Sequence, residues 1–372
     1  MNTRPLWAEI DLSAIKHNIR EAKKVIGANV AIMAIVKANG YGHGAVPVAK
    51  AAIEAGASSL GVAIPEEGVA LREAGITQPI LVLSESATAA APLIVEHGLT
   101  ATVCSEKASH TLSDEATQQG KRVKVHVKVD TGMNRIGLVP ERVAEFLRHV
   151  NSLPGLEVEG IFTHFAEADN PRSTYTNFQL AQFMPLVHAL KNEGLCPPVR
   201  HAANSAGVYL HLQSHLDMVR IGISLYGLHP SEATKGKVDL RPSLSLKSRL
   251  SFVKNVKAGT GVSYGRIFRA SQDTTIGTIP AGYGDGYTRL LSDKADVLVG
   301  GRRYPAVGNI CMDQFMVDFG ENTAVSVDDE AVLIGRQGDD EISADELASI
   351  LGTINYEIVC MINSRVPREY RE

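Results

Sequence analysis

The feature that most constrains this chain is a regular beat of apolar runs and amphipathic stretches over its first 230 residues. Val30–Ala38, Leu60–Ile64, Ile80–Leu83, Thr100–Ser105, Lys124–Asp130, Val158–His164, Val199–Asn204 and Met218–Gly222 read as eight strands. Nearly continuous apolar side chains imply burial on both faces, and helices between strands imply parallel pairing through βαβ crossovers. The intervening segments carry the helical period. Ser13–Ile26 puts Ile15, Ile19, Ala22, Val25 and Ile26 on one stripe and stops at Gly27. Pro65–Ala74, Arg142–His149 and Phe178–Asn192 behave alike, and Gly75, Gly98, Gly120 and Gly194 supply helix stops. Eight such units in this length fit a (β/α)8 barrel. An open doubly wound sheet would want G-x-G-x-x-G after its first strand. Lys37-Ala38-Asn39-Gly40-Tyr41-Gly42-His43-Gly44 stands there instead, so the barrel is the expected fold.

From Arg241 the pattern shifts to short alternating strands: Leu244–Phe252, Thr274–Ile279, Asp296–Val299, Met316–Phe319 and Glu330–Ile334. One helix is expected at Ala344–Leu351, where Ser343 and Glu346 make a capping box. The division is therefore a barrel over 1–240 and a mainly β domain over 241–372, with residues 1–10 available to pair with the latter.

Composition removes several function classes. A formal net charge of -4 and the short basic run Lys121-Arg122-Val123-Lys124, read as a solvated strand edge, offer no nucleic-acid surface. No run of about 18 apolar residues predicts a membrane span, and the acidic Glu9 and Asp11 interrupt any signal core, so the cytoplasm is the expected location. Cys104, Cys196, Cys311 and Cys360 form no C-x-x-C pair and read as buried reduced thiols. His211 and His215 lack a third ligand candidate and read as surface residues, so no metal site is expected.

Barrel enzymes carry their chemistry at the C-terminal ends of the strands. There stand Lys37, then Lys128 and Asp130 followed by Asn134 and Arg135, then His164, Asn204 with Ser205, and Arg220 with Gly222. Any one of these has a plain reading as a polar strand end. Together they form a basic ring, and Ser205, Gly207, Gly222 and Ser224 lie in the loops where barrels commonly bind phosphate. A lysine beside a phosphate site suits a Schiff base with pyridoxal phosphate, which brings both aldehyde and phosphate. On these features alone an aldolase-type barrel and a simple phosphate-binding barrel remain open.

The motifs Ala34–Gly44, Val129–Gly137, His201–Ser205, Val219–Gly227, Val262–Gly265, Cys311–Gln314 and Ile354–Glu357 resemble those of the alanine racemases, a likeness running from Trp7 to Arg368. The resemblance implies a pyridoxal 5'-phosphate enzyme that interconverts L- and D-alanine, the D-isomer serving peptidoglycan. It also implies a homodimer whose active sites combine one barrel with the partner's β-domain. Lys37 would carry the cofactor and act as one acid/base, with Tyr264 of the other subunit as the second. Tyr41, Ser205, Gly222, Ile223 and Tyr356 would bind phosphate, with Asn204 alongside. Arg220 would face the pyridine nitrogen, with His164 beside it and Tyr264. Arg135 and the Met312 backbone would hold the substrate carboxylate, and Lys128 is the candidate carbamylated lysine. Asn309 departs from the pattern, because many members have a basic residue there, at the substrate entrance.

A barrel-type amino-acid decarboxylase would place an acid at the ring nitrogen and a cysteine in the partner site, which Arg220 and Tyr264 oppose. A cofactor-binding protein without catalysis would need no β-domain. A racemase of broader substrate range remains open.

Overall fold

The computed structural model describes residues 4–321 and 323–372; residues 1–3, part of the stretch expected to pair with the β-domain, and residue 322 lie outside the described residues. The chain divides into two compact units: Ser13–Gly40 with Ala45–Pro242, and Met1–Leu12 with Tyr41–Gly44 and Ser243–Glu372.

Strand β1 (Leu6–Asp11) belongs to the second unit, and the barrel of the first begins at β2 (Ala31–Ile35). It continues through β3 (Ser59–Val62), β4 (Ile80–Glu85), β5 (Thr100–Val103), β6 (Val123–Lys128), β7 (Leu156–Phe162), β8 (Val199–His201) and β9 (Met218–Ile221). The strands are parallel, neighbours follow chain order, and β9 closes the barrel on β2. This is the expected fold; seven of the eight strands end before their apolar runs do, whereas β4 continues past Leu83 to Glu85. The causes are local. Asp130 is drawn out of β6 by a turn in which its carboxylate accepts from the Gly132 and Asn134 amides at 2.9 and 3.0 Å. Asn204 leaves β8 because its side chain caps the helix Ser205–Leu210, accepting from the Gly207 amide at 3.0 Å.

In the second unit one sheet runs in the spatial order Phe252–Val256, Thr274–Ile279, Phe315–Asp318, Arg302–Val307, Asp296–Val299, Glu330–Gln337, Leu244–Arg249, β1 and Arg368–Arg371. The helix Ala344–Leu351 shows half of the expected capping box: the Ser343 hydroxyl accepts from the Glu346 amide at 3.0 Å, while the Glu346 carboxylate accepts instead from Arg303 Nη1 at 2.6 Å. Residues 41–44 group here for a steric reason. A Cβ at Gly42 would lie 2.3 Å from the Val359 carbonyl oxygen and one at Gly44 2.0 Å from the Tyr370 hydroxyl, so only glycine permits the approach.

Two side-chain expectations fail. His215 is buried, its Nε2 within 2.9 Å of the Val208 carbonyl, because the turn after Leu210 folds back on its own helix. The cysteines are free but not buried: Cys104, Cys196 and Cys311 are half-buried and Cys360 is exposed. Among the described residues, no helix is long and apolar enough to cross a membrane.

Candidate active site

Lys37 follows β2 at the C-terminal mouth of the barrel and is half-buried. The chain then turns left-handed. Ala38, Asn39, Gly40 and Tyr41 have φ of 52, 51, 61 and 49°, a conformation that disfavours residues with a Cβ by roughly 1 kcal/mol each. The turn is held by named contacts. The Glu67 carboxylate accepts from the Ala38 amide at 2.6 Å and from the Ala63 amide at 2.8 Å. Asn39 Oδ1 accepts from the Ala45 amide at 3.0 Å. Lys37 thus immediately precedes a left-handed run that surrounding hydrogen bonds hold in place.

Behind it lies a buried basic cluster. Lys128 and Arg220 are each 3% exposed. Arg220 Nη2 donates to the Thr163 and Ala202 carbonyls at 2.8 and 2.9 Å and lies 3.1 Å from His164 Nδ1; Nη1 lies 2.9 Å from His201 Nδ1. Burial, then Arg135, lowers the Arg220 pKa. Guanidinium nevertheless remains charged at any working pH. Burial and the Arg220 and Arg135 charges hold the Lys128 amine well below the ordinary lysine range. His164 is pushed down in the same way, by burial first and then by Arg220, Lys128, Arg135 and Lys37. It is therefore neutral, accepts at Nδ1 and presents N–H at Nε2. The fixed positive charge of this pair is therefore the arginine's. Phe162 forms the floor, with Lys128 Nζ 4.4 Å and Arg220 5.5 Å from its ring centroid.

Around the next two loops, Ser205 Oγ receives the Gly222 amide at 2.9 Å and the Ser224 amide at 3.5 Å. Gly222 and Ile223 are buried here beside Ser205. Asn204 spends its carboxamide oxygen on the helix cap, so its side chain organises this loop. Arg135 is exposed after the Asp130 turn, next to the left-handed Asn134.

The remaining candidates belong to the second unit. The Tyr41 and Tyr356 rings are 6.2 Å apart, and burial followed by Tyr356 and Cys360 pushes the Tyr41 phenol well up. Tyr264 is 70% and Met312 52% exposed. Asn309 Nδ2 donates to the Tyr264 carbonyl at 2.6 Å. The structure thus brings Lys37, Lys128, Arg135, His164 and Arg220 into one electrostatic cluster, and Ser205, Gly222 and Ile223 into another group. Sequence reading passed over His126, Glu159, Phe162 and His201. His201 opened a motif already noted, whereas His126 and Glu159 sit mid-strand, where a polar side chain reads as alternation.

Residues 10–230 match the model for the alanine racemase N-terminal domain and residues 243–370 that for the alanine racemase C-terminal domain. The alanine racemase of Desulfovibrio desulfuricans is 50% identical, covering 99% of this chain and 99% of that protein. A crystal structure of the Bacillus anthracis alanine racemase with bound L-Ala-P is 40% identical with a TM-score of 0.94, covering 100% of this chain and 96% of that one. A histidine racemase from Leuconostoc mesenteroides is 31% identical with a TM-score of 0.92, covering 100% and 99%.

Proposed function

The chain belongs to the alanine racemase family of isomerases, and on that premise we propose that it interconverts L- and D-alanine with pyridoxal 5'-phosphate and two bases. The observation that carries the cofactor reading is charge balance at the barrel mouth. Lys37, Lys128, Arg135 and Arg220 couple electrostatically to one another or to His164, while the carboxylate among them, Asp130, is held by backbone amides. A ligand with a phosphate and a carboxylate supplies the missing negative charge.

When bound, the cofactor supplies an electron sink for the substrate's alpha carbon. Lys37 would hold it through Nζ and would move the alpha proton on one face. Tyr264 of a second copy moves a proton on the opposite face, since inversion needs a donor and an acceptor on different sides. Arg220 would face the ring nitrogen with a permanently charged donor that cannot accept a proton from it, so it would not keep that nitrogen protonated and would limit how strongly the cofactor draws electrons from the alpha carbon. By the resemblance, Ser205, the Gly222 and Ile223 backbone, Tyr41 and Tyr356 would hold the phosphate. Arg135 and the Met312 backbone hold the substrate carboxylate. The assembly is a homodimer, and its D-alanine serves peptidoglycan.

The test is circular dichroism of L-alanine after adding purified protein. The signal should decay to zero and should persist with Lys37→Ala. A second reading, a different or wider substrate range, is favoured by the histidine racemase likeness. Decay with another amino acid and none with alanine would establish it.

A further inference from the structure

Arg220 is one end of a chain of hydrogen bonds that runs down the barrel interior. Its Nη1 lies 2.9 Å from His201 Nδ1; His201 Nε2 lies 2.8 Å from His126 Nδ1; His126 Nε2 lies 3.2 Å from Glu159 Oε2. Glu159 Oε1 in turn accepts from Lys124 Nζ at 2.6 Å. Arginine only donates, so His201 Nδ1 must accept, which puts the His201 proton on Nε2. By the same logic His126 accepts at Nδ1 and donates from Nε2 to the carboxylate. One tautomer of each ring satisfies every link.

The surroundings are built around this line. Gly160 has no side chain where a Cβ would lie 2.5 Å from His126 Nδ1, and the β6–β7 register shifts at His126. His201 stacks on Phe162 with centroids 4.6 Å apart and planes at 4°. His126 and Glu159 line a cavity of about 190 Å³ at the N-terminal strand ends, with Ser58, Ser59 and Thr100. The relay therefore joins the Arg220 pocket to the opposite mouth of the barrel. Arg220 Nε has no acceptor among the described residues, which leaves that donor for a ligand.

We propose that Glu159 is a positioning residue that acts through His126 and His201 on Arg220, fixing both the guanidinium's orientation and how strongly it donates to the group it faces. The carboxylate polarises His126, which makes His126 Nδ1 a better acceptor for His201 and His201 Nδ1 a better acceptor for Arg220. Electron density supplied at one end keeps the arginine proton from being shared with a ring nitrogen at the other. The consequence for catalysis rests on the reading of Arg220 given above. The relay itself does not.

Glu159→Gln keeps the shape and an acceptor and removes the charge. The first measurement is ¹⁵N NMR of histidine-labelled protein without cofactor. It should read His201 and His126 as protonated at Nε2 alone, and their Nδ1 shifts should move in Glu159→Gln. The second is the partition of the loaded enzyme between racemisation and loss of the cofactor by transamination, together with the bound cofactor's visible absorption. In Glu159→Gln transamination should rise roughly threefold to tenfold relative to racemisation, with a displaced absorption maximum. His201 protonated at Nδ1 in the wild type overturns the proposal even if the variant does not fold. So does an unchanged partition and spectrum in a folded variant. A wild type that racemises nothing sinks the functional reading and leaves the NMR result to decide the relay.

Discussion

Asn309 donates its side-chain amide to the carbonyl of Tyr264, and its own carbonyl accepts from the Ser263 hydroxyl at 2.5 Å, so one residue clasps both sides of the tyrosine turn. That turn needs support. Ser263, Gly265 and Arg266 have φ of 64, 73 and 47° around it. Asn309, which the resemblance sets at the substrate entrance, is thus in this structure a brace for the proposed second base. Asn309→Ala should lower kcat by roughly tenfold with little change in KM, the effect of a small misplacement of a proton-transfer group. Steady-state kinetics of both directions checks it; a change in KM alone would return Asn309 to the entrance.

Met312 is held by a different device. The buried Asp285 carboxylate pairs with Arg4 at 2.6 Å and Arg365 at 2.8 Å and accepts from the Gly282 amide at 2.9 Å. That fixes a loop whose Gly284 amide donates to the Met312 carbonyl at 2.9 Å. Asp285→Ala removes the carboxylate that ties Arg4, Arg365 and the Gly282 amide together and should destabilise the fold. Because the Met312 backbone shifts with the loop, KM for alanine should rise more than kcat falls. Urea melts paired with kinetics test this, and unchanged KM in a destabilised variant would confine Asp285 to stability.

The barrel was legible because its strands are buried on both faces and therefore nearly all apolar, and because Lys37, Lys128, His164, Ser205 and Arg220 interrupt that pattern at strand ends. The relay was not, since His126 and Glu159 sit mid-strand, where a polar residue reads as an ordinary alternation. Nor could periodicity reveal strands such as Arg302–Val307 or Arg368–Arg371, whose charged residues occupy positions a sheet edge or partly exposed face tolerates. The left-handed run at 38–41 includes Ala38 and Tyr41, and no local propensity predicts that conformation for either. Tertiary contacts such as Glu67 with the Ala38 amide impose it.

Gly160 offers a direct steric test of the His126 position. An added Cβ would meet the ring at 2.5 Å, and His126 is only 2% exposed, so the ring has nowhere to retreat without breaking a hydrogen bond. Gly160→Ala should lower stability by about 1–3 kcal/mol and shift the partition toward transamination, as Glu159→Gln does. Gly75→Ala, where a Cβ meets nothing within 4 Å but φ is +83°, controls for backbone strain alone. If both variants lose stability equally and neither changes the partition, the His126 contact has no functional weight.

Glu159 also sets a pH dependence that can be read without cofactor. The His126 hydrogen bond, with Lys124 assisting and burial opposing, lowers its carboxyl pKa from 4.5 to about 2. A depressed carboxyl contributes stability that is present above the unfolded value and lost as pH falls through the folded one. The stability gap between wild type and Glu159→Gln should therefore be widest near pH 6 and should shrink from about pH 4.5 toward pH 2. Urea midpoints at pH 6 and pH 3 measure it, and a gap that stays constant would mean the carboxylate is not what the relay ends on.

Lys128 gives the opposite sign. Burial first, then Arg220 and Arg135, hold its amine well below 10.5, against weaker pulls from Asp130 and Cys104. The folded state thus binds fewer protons than the unfolded chain between the depressed value and 10.5, so stability should rise with pH across that window. In carbon-dioxide-free buffer, Lys128→Met should be more stable than wild type near neutrality, and the difference should narrow as pH climbs. A neutral amine in this pocket is also a nucleophile. Its nitrogen can bond the carbon of CO2 and release a proton, leaving a carbamate whose negative charge the surrounding cations favour. Bicarbonate should therefore stabilise the wild type and leave Lys128→Met unchanged, and ¹³C-labelled bicarbonate should add a carbonyl resonance absent from the variant. A pH-independent stability difference with no such resonance would mean that Lys128 is held as an ammonium by the Asp130 carboxylate and contributes to the site as a cation.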